Sequence, residues 1–321
     1  MSERSFDLVL VLAGGNALGA FEAGVYQALH EAGLEPDWII GASIGAINGA
    51  LIAGSPVERR VETLRAFWRP SPAGLGLDAA LFPAALEVAR RTAAITWTLV
   101  AGRPSIFGPL LSSLAPWTNN WPALFETDQL EATLERVVDF ERLNQGPCRY
   151  TATAVDLASG EDVAFDSRER RITARHVRAS AALPVIFPPV EVDGRLMVDA
   201  GLSANLPLDP VLANPPARPT LVVAADLLPL AQPIPTTLGE TAGRMQDLTF
   251  ASQSRRTLAR WSAAYAGRRD LSLSLVRLAY VDQSIEVAGK ALDFPARPSR
   301  TAGRRDARPR RAWWNGWRRA C

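Results

Sequence analysis

Hydrophobic residues in the first third of the chain alternate between continuous runs and helical spacing. Phe6 to Leu12 is an unbroken run of mostly aliphatic residues that ends at Gly14-Gly15, a pattern typical of a strand buried on both faces. From Ala20 to Ala32 the apolar residues recur at helical spacing, and Gly33 follows as a C-terminal glycine. The pattern predicts a strand, a glycine-rich turn and a helix.

The same unit follows a second time. Trp38 to Ile40 predicts a short strand that leads directly into Gly41-Ala42-Ser43-Ile44-Gly45, and an Ala- and Ile-rich helix is predicted through Ala53. Two such units in succession favour a parallel sheet wrapped by helices. We therefore predict an α/β fold, a three-layer α/β/α arrangement with a mostly parallel central sheet.

The alternation of strands and helices continues in the second half of the chain. Strands are predicted at 150–156, 161–165, 196–198, 221–225 and 271–281, and helices at 57–68, 128–138, 176–182 and 253–266. Asp128 is the predicted cap of its helix, because Glu131 stands three residues later as in a capping box.

Two segments depart from this alternation. Residues 70–122 are rich in Pro, Gly, Trp, Leu and Phe with few charges, and so long a stretch within a compact domain predicts a lid or cap. After Asp293 periodicity vanishes, so we predict one domain over residues 1–293 and an Arg- and Trp-rich, disordered tail over 294–321.

Charge and cysteine content bear on where in the cell the protein is expected to be. Residues 297–321 carry +8 from nine arginines and one aspartate, whereas the remaining 296 residues carry −6. The composition of the tail suggests contact with anionic lipid or nucleic acid, or plain disorder, or a C-terminus whose reading frame departs from that of its relatives. Cys148 and Cys321 are far apart, and no run of about 18 apolar residues could span a bilayer. We expect a cytoplasmic protein with peripheral membrane contact.

The segment from Gly41 to Gly45 has the context of a nucleophile elbow. Small residues allow a sharp turn between strand and helix, and the hydroxyl of Ser43 would then project at a helix N-terminus, where negative charge is favoured. The alternative is a serine that only caps the helix.

A glycine turn follows the first strand. Gly14-Gly15-Asn16-Ala17-Leu18-Gly19 would lie beside the elbow at the carboxyl edge of the sheet, where its backbone N–H groups could hold an oxyanion. A nucleotide site is the alternative, but a G-x-G-x-x-G frame fails at Asn16 and the chain has no Gly-Lys-Ser/Thr.

A serine nucleophile needs a base, and the histidines are poorly placed to supply one. His30 falls near the far end of its helix, and His176 lies among arginines. Asp199 follows a short strand and precedes Ala200-Gly201, so its carboxylate could accept the proton of Ser43 if burial raised its pKa. The alternative is a turn aspartate that bonds its own backbone.

These three motifs, in this order, resemble the patatin-like phospholipase family over about residues 6–210. The run from Ala179 to Pro184, followed by Phe187-Pro188-Pro189, also resembles that family's approach to its aspartate. The resemblance implies a Ser-Asp dyad of Ser43 and Asp199 without histidine, metal or cofactor, and an oxyanion hole from the N–H groups of Gly14, Gly15 and Asn16. The supporting motif residues are Gly19, Gly41, Gly45, Ala200 and Gly201.

The implied reaction is hydrolysis of a lipid or phospholipid ester, with no nucleic acid as partner. The aromatic residues of 81–121 would then gate lipid access or line an acyl-chain pocket, or simply form a cap packed on the sheet. The chain departs from the family pattern at Asn16, Leu18 and Ala200. The alternative is therefore a catalytically impaired protein on the same fold that binds lipid or a partner.

Overall fold

A computed structural model describes residues 4–68, 106–108, 123–268 and 272–280. Eight strands form one sheet: β1 Asp7–Leu12, β2 Trp38–Ala42, β3 Arg149–Asp156, β4 Asp162–Asp166, β5 Val190–Val192, β6 Arg195–Asp199, β7 Thr220–Asp226 and β8 Leu273–Ala279. Around it the described helices are α1 Gly19–Glu31, α2 Ile44–Ala53, α3 Arg60–Phe67, α4 Asp128–Val137, α5 Phe140–Gln145, α6 Ala174–Ser180, α7 Gly201–Ala204, α8 Asp209–Ala213 and α9 Leu238–Tyr265. Short 3₁₀ turns cover Asn16–Leu18 and Val57–Arg59.

The strand order places the carboxyl end of β1 at the centre of the sheet. The order is β5-β6-β3-β2-β1-β7-β8, with β4 paired to β3. The strands β3, β2, β1, β7 and β8 are parallel, and β4, β5 and β6 are antiparallel to their neighbours. The chain runs from β1 to β2 on one side and returns to β7 on the other, and such a reversal point is where open α/β sheets bind ligands.

Burial explains why the central strands are continuous apolar runs. Residues 8–12 of β1 and all seven residues of β7 are buried, because helices cover the sheet and leave no polar face. The predicted α/β fold with a mostly parallel sheet is confirmed.

Several elements were missed or placed wrongly from the sequence. The unpredicted elements are β5, α5, α7, α8 and the first half of α9. The prediction that Asp128 caps its helix is wrong: Thr127 is the N-cap residue, and Asp128 is the first residue of α4.

The lid candidate, residues 70–122, lies outside the described residues except for 106–108, and the tail, 294–321, lies wholly outside them. Both remain predictions, as does the domain limit at 293. None of the helices in the described ranges combines the length and the apolar character that crossing a membrane requires.

Candidate active site

Ser43 occupies the sharp turn between β2 and α2. Its φ of 54° and ψ of −123° are strained for a residue with a side chain. The Ser43 carbonyl accepts the N–H groups of Ala46 and Ile47, so the helix begins immediately after the turn. The side chain is therefore held at the N-terminus of α2, as the elbow pattern predicted.

The glycines on either side of Ser43 are required by close backbone packing. A Cβ on Gly41 would lie 2.4 Å from the carbonyl carbon and oxygen of Gly45. A Cβ on Gly45 would lie 2.4 Å from the carbonyl oxygen of Leu12. The turn thus folds tightly back on itself and onto the end of β1.

The sheet register brings Asp199 to the level of Ser43. Ala42, the residue before Ser43, pairs with Thr153 of β3. The next residue of β3, Ala154, pairs on its other side with Asp199. Ser43 and Asp199 therefore lie on opposite sides of β3. Their backbones are separated across the sheet by two strand spacings, or roughly 10 Å.

The carboxyl group of Asp199 is buried and lies near enough to Ser43 for the two side chains to interact. Burial raises the pKa of Asp199 to about 6, and hydrogen bonds from the Ser43 side chain and the Gly201 N–H partly offset that rise. The Gly201 N–H donates to Asp199 Oδ1 at 2.7 Å. The local backbone bond expected of a turn aspartate is thus present, and it occupies one of the two carboxyl oxygens.

Residues at and just after the C-terminal end of α6 accept hydrogen bonds from the backbones of both Ser43 and Asp199. The Ser43 N–H donates to the Ser180 hydroxyl at 3.0 Å, and the Asp199 N–H donates to the Ala182 carbonyl at 3.0 Å. Ser180 is fully buried. It belongs to the run preceding Pro184 that the sequence singled out, but its contact with Ser43 was not predicted.

The glycine turn after β1 packs directly against Ser43. A Cβ on Gly14 would lie 3.2 Å from the Cβ of Ser43. The positive φ in this turn belongs to Asn16, at 47°, and asparagine is among the side chains that tolerate this conformation best. Within the described residues, the N–H groups of Gly15 and Asn16 donate to no other group.

The Gly14 N–H, which the sequence analysis named as an oxyanion donor, has a partner in the structure. This N–H donates to the Asn205 carbonyl at 2.9 Å and is therefore occupied. Asn205 was missed from the sequence, and its only signal is its place six residues after Asp199. The N–H of Ile44, at the first position of α2, is the further donor that an elbow commonly supplies.

A buried polar cluster joins the helices that follow the two turns. Asn48 of α2 donates through Nδ2 to the Gly19 carbonyl and to Glu22 Oε2, both at 2.9 Å, and accepts from Trp68 Nε1 at 2.9 Å. Burial holds the pKa of Glu22 well above its usual range, which favours an uncharged carboxyl. The cluster fixes α1 against α2, and with them the glycine turn against the elbow.

A cleft opens beside Ser43. It is narrow, with a volume of about 20 Å³. Its lining residues are Asn16, Ser43, Ile44, Ile47, Ile106, Phe107, Thr127, Leu130, Ala181 and Phe187. Two of these lining residues, Phe107 and Phe187, pack together with Phe125, with ring centroids 4.9–6.3 Å apart. The described part of the lid candidate thus lines a mainly apolar cleft.

The two histidines make their contacts elsewhere. His30 bonds Glu35 through Nδ1 at 2.6 Å, and His176 lies 2.9 Å from the Thr173 hydroxyl and packs against Phe165. The described residues contain no group of three or more His, Cys, Asp or Glu side chains that could hold a metal ion.

Comparison with known proteins gives the same picture. An uncharacterized NTE family protein of Mycobacterium tuberculosis is 27% identical over 204 residues, which are 64% of this chain and 45% of that protein. Patatin-like phospholipase domain-containing protein 6 of Mus musculus is 26% identical over 204 residues, 63% of this chain and 12% of its own. The chain thus spans less than half the length of these relatives.

A solved structure, VipD from Legionella pneumophila, superimposes with a TM-score of 0.42 at 15% identity and covers 91% of this chain and 66% of that one. The family model described as patatin-like phospholipase matches residues 10–212, the span that carries the elbow, the glycine turn and Asp199. The chain therefore belongs to the patatin-like phospholipase family, and its three motifs lie within the span that the family model matches.

Proposed function

We propose that the chain hydrolyses carboxylic esters of lipids, with Ser43 as nucleophile and Asp199 as general base. The observation that carries the proposal is the sheet register that brings a serine on a strained strand-to-helix turn close to a buried carboxyl whose pKa is raised to about 6. Membership of the patatin-like phospholipase family supports a lipid substrate.

In the first half of the reaction, Ser43 Oγ forms a bond to the ester carbonyl carbon while its proton passes to Asp199. The N–H groups of Gly15 and Asn16 hold the resulting oxyanion, and Ile44 contributes a third. Asp199 returns the proton to the departing alcohol, and an acyl-enzyme remains.

In the second half, Asp199 takes a proton from water, and the water oxygen attacks the acyl carbon. The tetrahedral intermediate collapses, Ser43 recovers its proton from Asp199, and the fatty acid leaves. A pKa near 6 suits both directions of transfer, because the carboxylate is ionised at neutral pH yet protonates readily.

The alternative of an impaired binding protein rests on Asn16 and Ala200, and both fit their positions. Asn16 adopts its positive φ, while Ala200 has helical angles of φ −61° and ψ −24° and is buried. Neither side chain requires a distorted backbone at the dyad, which favours hydrolysis over binding alone.

The test is the release of fatty acid from mixed phospholipid vesicles and from a medium-chain chromogenic ester. Ser43→Ala and Asp199→Asn are expected to lose about a thousandfold or more on both substrates. Ser159→Ala, at an exposed serine of the β3–β4 turn, serves as the matched control and should retain wild-type rates. A folded wild type that cleaves neither substrate would favour the binding alternative.

A further inference from the structure

Ser43 has a backbone conformation that a residue with a side chain adopts only under constraint. Its φ of 54° is positive, and its ψ of −123° places it outside the left-handed helical region that some side chains tolerate. Such residues persist only where the surrounding structure holds them. The groups that hold the Ser43 backbone therefore decide where its side chain is directed.

One of these groups belongs to a distant part of the chain. The Ser43 N–H donates to the hydroxyl of Ser180 at 3.0 Å, across a separation of 137 residues. The hydrogen bonds that the Ser43 carbonyl accepts are local, since they come from Ala46 and Ile47 in the first turn of α2. Ala42 is the last residue of β2 that pairs with β3. The Ser180 hydroxyl thus serves as the acceptor at the point where the chain leaves the sheet.

The same short segment also holds the backbone of Asp199. The Asp199 N–H donates to the carbonyl of Ala182 at 3.0 Å, two residues after Ser180. Ala181, between these two acceptors, lines the cleft, whereas Ser180 is fully buried and is not among the lining residues. The Ser180 side chain therefore bonds the backbone of Ser43 from a position that a substrate in the cleft does not contact.

We propose that Ser180 is the positioning residue of the nucleophile. Its hydroxyl fixes the Ser43 backbone, so that the Ser43 side chain remains directed for proton transfer to Asp199. The inference rests on the proposed function and adds to it a residue that takes part in the reaction only through Ser43.

Two variants at Ser180 separate the hydrogen bond from the volume of the side chain. Ser180→Ala removes the accepting oxygen and leaves a small space, whereas Ser180→Cys fills that space with sulfur, a weak acceptor. On the medium-chain chromogenic ester we expect kcat to fall by about 10- to 100-fold in both, because a misplacement of about 1 Å has effects of this size. KM should change little, because Ser180 does not line the cleft. A wild-type kcat in Ser180→Cys would overturn the inference.

Ser167→Ala is the matched control. The Ser167 hydroxyl also accepts a backbone N–H from a strand at 3.0 Å, that of Tyr150 near the start of β3. This variant should lower the melting temperature and leave the kcat of the folded protein unchanged. Equal losses of kcat in Ser167→Ala and Ser180→Ala would indicate a general loosening of the sheet and would contradict a positioning role.

Amide hydrogen exchange measured by NMR tests the positioning without turnover. In Ser180→Ala the Ser43 N–H loses its acceptor and should exchange about tenfold faster, as expected for the loss of one hydrogen bond. In Ser167→Ala the Tyr150 N–H should show the increase instead. Unchanged exchange at Ser43 in Ser180→Ala, or faster exchange without a fall in kcat, would overturn the inference.

Failure of the proposed function has a different signature. A folded wild type that hydrolyses neither the chromogenic ester nor phospholipid vesicles would count against the proposed function. The exchange rate of the Ser43 N–H would still decide whether Ser180 holds this part of the backbone.

Discussion

Asn205 and Gly14 are joined by two hydrogen bonds that run in opposite directions. The Gly14 N–H donates to the Asn205 carbonyl at 2.9 Å, and Asn205 Nδ2 donates to the Gly14 carbonyl at 3.0 Å. Asn205 directly follows α7, the helical turn that begins after Asp199 and Ala200. The pair therefore connects the glycine turn to the segment that carries the aspartate, two regions separated by 191 residues in sequence.

Removing the Asn205 side chain should therefore impair catalysis more than binding. In Asn205→Ala the glycine turn loses one of its two hydrogen bonds to residue 205. We expect the N–H groups of Gly15 and Asn16 to shift relative to Ser43 as a result. We expect kcat to fall by about 10- to 100-fold with KM little changed, since small misplacements of catalytic groups have effects of this size.

Asn144→Ala is the matched control for that measurement. The Asn144 side chain also donates to backbone carbonyls, in its case those of Phe140 and Ile172, but it stabilises α5 rather than the candidate site. It should lower the melting temperature and leave the kcat of the folded protein unchanged. A wild-type kcat in Asn205→Ala would show that the hydrogen bond from Asn205 Nδ2 to the Gly14 carbonyl does not position the turn.

The pH dependence of hydrolysis should report Asp199. Its pKa is raised to about 6 by burial, and only the ionised carboxylate can accept the proton of Ser43. We expect kcat/KM for a non-ionising ester to rise between pH 5 and 7 with a midpoint of about 6. A midpoint near 4, the value of an ordinary aspartate, would indicate that Asp199 is not the group that limits the rate.

The same raised pKa makes Asp199 a source of instability at neutral pH. Because the folded-state pKa of Asp199 exceeds the unfolded value of 3.8, its contribution to stability is most favourable below about pH 4 and is lost as the pH rises through 6. About two pKa units correspond to about 3 kcal/mol. Asp199→Asn should therefore raise the free energy of unfolding by up to that amount at pH 8, in urea titrations, and by little at pH 4.

Asp156→Asn supplies a control of opposite sign. Hydrogen bonds from the Ser159 and Ala158 backbone and from Arg195 lower the pKa of Asp156. Its stabilising effect is present above the unfolded pKa and is lost as the pH falls, so this variant should be less stable than the wild type at pH 8. If both variants moved in the same direction, the electrostatic explanation would be wrong.

Val185 is strained and should gain from replacement by glycine. It is a β-branched residue with a φ of 72° and is 69% exposed, so it has little packing to lose. Relief of the strain, less the larger backbone entropy of glycine in the unfolded chain, should raise the free energy of unfolding by about 1 kcal/mol in Val185→Gly.

Val57→Gly makes the same substitution at a negative φ, where valine is unstrained and 37% exposed. That variant should lose stability instead. Equal losses at both positions in parallel urea titrations would show that the φ of Val185 costs nothing.

The sequence predicted most of what short-range chemistry determines. Hydrophobic runs located β1, β2, β3 and β7 to within one or two residues, because strands buried on both faces have an unmistakable pattern. Ser43 and Asp199 could be chosen because each sits in a small-residue turn after a strand. The short strand β5 was not predicted, because three residues are too few to show the hydrophobic alternation of a strand.

What could not be predicted depends on contacts between distant segments. Nothing local in Ser180 or Asn205 indicates that they bond Ser43 and Gly14, since these pairs are 137 and 191 residues apart. The occupied Gly14 N–H is likewise a property of the packed structure. Sequence motifs thus indicate the candidate reacting groups, and the fold decides which residues lie beside them.

The most direct test of the central claim is covalent labelling with a fluorophosphonate probe, followed by mass spectrometry of the digested protein. The probe reacts only with an activated serine, so a single adduct on the peptide containing Ser43 is expected. Labelling should be absent in Ser43→Ala and at least about a hundredfold slower in Asp199→Asn. A folded wild type that remains unlabelled at Ser43, or labelling as fast in Asp199→Asn as in the wild type, would contradict the Ser43–Asp199 dyad.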